Sequence, residues 1–197
     1  MATNWPNSVQ TFTNPSPGDS LSSPSHADQH ATVNDTVEAL QQHAGLVFIK
    51  EQDIQTSPSV SSVTVTNVFS STFRDYMAVV SGVQCSVYAT PFLCRYGSGA
   101  TYYGSFWDGS VVSSISASSD GLVVGSTGAG APIVGMKIMF GCPNLAQRST
   151  IQGHSFTSLW YGAGQDLDTT PQTDFTLRLT SGVFFNGNIR VYGFNNG

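Results

Sequence analysis

Few side chains in this sequence are of kinds that do chemistry, and they are scattered. Asp166 and Asp168 lie two residues apart, with Asp174 nearby. Paired carboxylates can bind calcium or serve as the acid and base of glycoside cleavage. A calcium loop continues as a ladder of Asp, Asn and Gly, and none follows here, so the acids read as solvated loop residues. His26 and His30 are one helical turn apart. A helix would put both on one face, where two imidazoles can chelate a metal or form a polar layer. His154, between Gly153 and Ser155, has no companion Cys or Asp at a ligand spacing and reads as structural. Cys85, Cys94 and Cys142 are an odd number without metal-type spacing. They read as small buried hydrophobes in a reducing compartment. There is no nucleophile elbow, no phosphate-binding glycine loop and no zinc-protease helix motif. The expectation is a protein with no catalytic residue, no cofactor and no metal.

Aromatic side chains are the denser resource. Trp107, Trp160 and Tyr161 sit close to turn residues. Exposed, such rings stack on the apolar faces of sugars or anchor protein interfaces, and buried, they fill a core. Both readings stand at this level.

The elements that must carry these residues follow from composition and periodicity. The chain has 197 residues, and only 10% are charged, against a usual ~25%. Seven basic and twelve acidic residues give a net charge of −5. That excludes the basic face of a duplex nucleic-acid binder. A 40% hydrophobic share is enough to fill a core. No run of about 18 apolar residues is present, so membrane insertion is not expected. The first ten residues lack the basic start and apolar stretch of a signal peptide, which predicts synthesis and retention in a cytoplasm or release by lysis.

Residues 1–24 hold four of the nine prolines and little aliphatic periodicity. They read as an extended arm, ordered only against a partner, with Trp5, Val9, Phe12 and Leu21 as its anchors. Residues 25–45 read as a linker helix. Ser23 can cap it, Pro24 suits its first position and Gly45 ends it. Its stripe is His26, His30, Val33, Val37, Leu40 and Ala44, spaced 4, 3, 4, 3, 4. Such a narrow stripe fits the seam of a short bundle of identical chains, or a helix laid on the sheet domain.

After Gly45 the period changes from 3.6 to 2. Strands are predicted at 46–54, 60–68, 76–83, 85–96, 102–107, 111–115, 134–140, 151–161, 175–180 and 188–194. Gly, Ser, Asn and Asp clusters punctuate them, which predicts an antiparallel β-sandwich of jelly-roll type over 46–197. The Gly/Ser-rich stretch 116–131 is expected to be an exposed loop, and 162–173 another.

Three segments resemble one family. Residues 45–82 read GLVFIKEQDIQTSPSVSSVTVTNVFSSTFRDYMAVVSG, with the pattern F-S-S-T-[YF]-x-x-Y from Phe69 to Tyr76. Residues 179–194 read LTSGVFFNGNIRVYGF and residues 23–45 read SPSHADQHATVNDTVEALQQHAG. In this order they resemble the linker helix, opening strands and closing hairpin of a β-domain in tailed-bacteriophage virion proteins. Phe73 stands where that family often has Tyr, and 84–172 matches no part of it. The resemblance implies a non-enzymatic, trimeric virion appendage assembled in the host cytoplasm. It would be held to capsid or tail proteins by its arm, with a host surface glycan or protein as a further partner. A tail-fibre or receptor-binding knob is the first reading. A head fibre or capsid decoration protein is the second. A cellular carbohydrate-binding or carbohydrate-active sandwich is the third.

Overall fold

A computed structural model describes His30, Val33, Asn34, Asp35, Val37 and residues 45–54, 60–97, 101–118, 120–127, 133–156 and 160–194. The chain divides into a unit of Phe48–Phe194 and a second holding 1–47 and 195–197. In the second, His30, Val33, Asn34, Asp35 and Val37 are helical.

The larger unit is an antiparallel β-sandwich. Its strands are β1 (Leu46–Asp53), β2 (Ser62–Val65), β3 (Asp75–Cys85), β4 (Pro91–Tyr96), β5 (Tyr102–Trp107) and β6 (Val112–Ser118). They continue with β7 (Leu122–Ser126), β8 (Ile133–Gly141), β9 (Ser149–Ser155), β10 (Tyr161–Asp166), β11 (Phe175–Leu179) and β12 (Phe184–Phe194). One sheet runs β1-β12-β3-β8-β9-β10-β5-β6, and the other β2-β11-β4-β7. Setting aside β5, β6, β9 and β10 leaves β1-β12-β3-β8 facing β2-β11-β4-β7. Counted afresh along the chain, that order is 1-8-3-6 opposite 2-7-4-5, the arrangement of an eight-stranded jelly roll. The four strands set aside are two inserted hairpins. Both dock beyond β8 and double the width of one sheet.

Alternating strands build the core. On β3, Tyr76, Ala78 and Val80 point inward, and on β8, Met136, Ile138 and Phe140 do so. Phe140 is the hub of an aromatic cluster, with ring centroids 4.8 Å from Phe175, 5.1 Å from Phe69 and 5.9 Å from Tyr96. The pattern beginning at Phe69 has a local purpose. The Tyr76 hydroxyl donates to the Ser70 carbonyl at 2.6 Å and accepts the Ser70 N–H at 2.7 Å. It thereby ties off the turn leading into β3, while Phe69 packs edge-on against the Tyr76 ring at 4.9 Å.

The expectation of an exposed loop over 116–131 is corrected. β6 continues to Ser118, and β7 is buried at every residue. β7 is the edge of the four-stranded sheet, yet β5, β9 and β10 of the long sheet lie against it. Glycine permits that approach. A Cβ at Gly162 would collide with the Val123 carbonyl oxygen, and one at Gly153 with that of Val124. The loop expected over 162–173 is likewise a strand as far as Asp166. Its sequence, YGAGQD, reads as a loop because the glycines that fit it to β7 are also turn residues.

Candidate functional site

The two inserted hairpins create an outer surface that the eight-stranded core lacks. On β9, Thr150, Gln152 and His154 alternate outward with buried Ser149, Ile151, Gly153 and Ser155. Tyr161 pairs with His154 on one side and with Trp107 on the other. Trp107 pairs in turn with Val112. His154, Tyr161, Trp107 and Val112 therefore form one row across β9, β10, β5 and β6. Trp107 is 40% exposed and Tyr161 45%. His154 carries the exposed Phe156 edge-on, with ring centroids 5.6 Å apart. The next row is Gln152, Ala163, Ser105 and Ser114. Small and polar side chains thus lie beside the rings, so a flat ligand could meet both ring faces and hydrogen-bonding groups.

Trp160 is not part of this row. It is half-buried and stacks flat on Phe106, with centroids 5.4 Å apart and planes 6° from parallel. Phe106 alternates with Trp107 and so serves the opposite face of β5. Of the seam residues, Val33 and Val37 are helical and 47% and 46% exposed, and His30 is helical and exposed. His26, Leu40 and Ala44, and the anchors Trp5, Val9, Phe12 and Leu21, lie outside the described residues.

The acids do structural work. Asp166 is not a solvated loop acid: it ends β10 and is fully buried, paired across the sheet with Ser149 and Tyr102. Its Oδ1 accepts the Asp168 N–H at 3.0 Å, and its Oδ2 has no partner. Burial raises its pKa above the usual carboxylate value, against the opposing hydrogen bond from the Asp168 N–H. Asp168 accepts the Thr170 N–H at 2.9 Å, which holds its pKa down. Asp174 accepts the Asn67 N–H at 2.7 Å. Nearby, burial pushes the Tyr102 hydroxyl upward, and its oxygen accepts the Tyr96 N–H at 2.7 Å.

The Asp166 carboxyl makes the fold pH-dependent with a definite sign. Its folded pKa is raised above the unfolded ~3.9. The stability it contributes is therefore full below that value and lost as pH rises through the folded pKa. Asp166→Asn keeps the acceptor oxygen and removes the charge. Urea unfolding from pH 4 to pH 7 should show the variant gaining on the wild type as pH rises. A pH-independent difference would mean the carboxyl is not protonated in the native protein.

Two of the three cysteines are chemically muted. Cys85, Cys94 and Cys142 are free, and Cys85 and Cys94 are buried. Burial pushes the Cys85 thiol up to about 11 and Cys94 higher still, so neither is a thiolate at neutral pH. Among the described residues no group of three His, Cys, Asp or Glu could hold a metal ion. No helix among them is long and apolar enough to cross a membrane.

No protein-family model matches the chain, and neither does any curated protein or solved structure.

Proposed function

We propose that this chain is a structural protein of a bacteriophage virion, a surface appendage whose knob recognises a host-surface glycan without turning it over. The observation that carries the recognition part is the exposed row of Trp107 and Tyr161, brought into register from strands 54 residues apart in sequence. Aromatic rings on a broad, mostly polar face suit the apolar faces of sugar rings. The jelly-roll order supports the reading too, since capsid and lectin domains use it, though fold alone does not assign function. The family resemblance of three segments supplies the virion. The exposed apolar pair Val33 and Val37, on one helical face, is consistent with a seam between three copies. Arm and helix would then anchor and trimerise the protein, and the knob would face outward.

The test is location. Antibodies raised against Phe48–Phe194 should decorate the outside of the particles made by the cells that express the chain. Signal confined to soluble lysate protein would reject the virion role.

A further inference from the structure

Lys137 stands at the end of the aromatic row, and its position constrains what the row can hold. Lys137 pairs with His154, His154 with Tyr161, and Tyr161 with Trp107, so one line crosses β8, β9, β10 and β5. At a strand spacing of about 4.8 Å, Lys137 is two strands from Tyr161 and three from Trp107. A pyranose ring is of similar width to one spacing. Met136 and Ile138, its neighbours on β8, are fully buried, which sends Lys137 to the outer face.

Charge completes the case. Arg178 pairs with Asp120 and Arg190 with Glu51, while Lys50 donates to the Thr66 carbonyl. Among the described residues Lys137 has no ion pair or hydrogen bond, and nor does the exposed Arg148, which precedes β9 six residues from His154. The carboxylate closest in sequence to the row, Asp108, is turned into its own hairpin. Its Oδ1 accepts the Ser110 N–H, the Ser110 hydroxyl and the Val111 N–H at 3.0, 2.8 and 2.9 Å. The row thus has a cation at one end and rings at the other, on a chain whose net charge of −5 repels anions in general. We infer that it binds an acidic saccharide, with a sugar carboxylate on Lys137, a hydroxyl or carboxylate oxygen on His154, and the next ring against Tyr161 and Trp107. This rests on the glycan-recognition reading above and specifies its ligand class.

The test uses the full chain on an array of bacterial uronate-containing oligosaccharides, each beside its carboxyl-reduced counterpart. The wild type should bind acidic members about tenfold tighter than their reduced partners, equivalent to roughly 1.4 kcal/mol. Lys137→Gln should abolish that preference, chiefly by weakening the acidic members. Trp107→Ala should weaken both. Equal binding of acidic and reduced sugars by the wild type, or a preference unmoved by Lys137→Gln, overturns the acidic assignment while glycan recognition stands. Failure to bind any member overturns both.

Discussion

Replacing Gly162 by alanine should unfold or nearly unfold the sandwich at its β7 edge. The added methyl would meet the Val123 carbonyl oxygen, a backbone atom that no rotamer change can move aside. Relief requires β10 and β7 to separate, which opens the interface burying Leu122 and Val124. Overpacking of ordinary core sites costs about 1–3 kcal/mol, and a backbone clash belongs at or above the top of that range. Urea denaturation should give a loss of at least ~3 kcal/mol, with β7 amides exchanging faster than those of β3. A loss under ~1 kcal/mol would mean that the long sheet does not press on β7 as described.

Phe140→Ala should be comparably severe for a different reason. Phe140 is fully buried and touches Phe69, Tyr96 and Phe175 at once. Its partners come from the loop before β3, from β4 and from β11, so the cavity lies between the two sheets and cannot close by one local shift. Truncations of this kind cost about 3–5 kcal/mol, a large share of a typical domain stability of roughly 5–15 kcal/mol. Thermal and urea midpoints should both fall. Phe140→Leu should recover much of the loss. If the alanine variant were as stable as the wild type, the inter-sheet aromatic cluster would not be the core.

These two sites show what the sequence could and could not reveal. β11 was legible because Phe175, Leu177 and Leu179 alternate with Thr176 and Arg178, and a period of two marks a strand with one face in the core. β5 was legible for its bounding turns and aromatic content. β7 was hidden because burial on both faces removes the alternation, leaving three apolar residues among glycines and serines. β10 was hidden because Gly162 and Gly164 are there to admit a neighbouring backbone, and glycine carries no sign of whether it serves a turn or a close approach. Asp166 was misread for the same reason: once β10 is mistaken for a loop, its last residue looks solvated.

The candidate site was legible by residue type but not by arrangement. Trp160 and Tyr161 are neighbours in sequence, yet the ring of one is stacked on Phe106 and the other stands in the outer row. Nothing local pairs Tyr161 with Trp107 or His154 with Lys137. Those registers are set by how the two hairpins insert into the jelly roll, a long-range property. His154, read as structural from its neighbours in sequence, becomes part of the row only through that register.

The outer face is proposed to recognise a glycan without chemistry. The most direct measurement is retention of the purified full chain on envelope polysaccharide from the proposed bacterial host, for wild type and the Trp107→Ala/Tyr161→Ala double variant. Both rings are only partly exposed, so the double variant should stay folded with a lowered thermal midpoint, and retention is compared well below it. The wild type should be retained and release no oligosaccharide, and the double variant should bind at least about tenfold more weakly. Equal retention of the two proteins, or release of oligosaccharide by the wild type, would contradict the account.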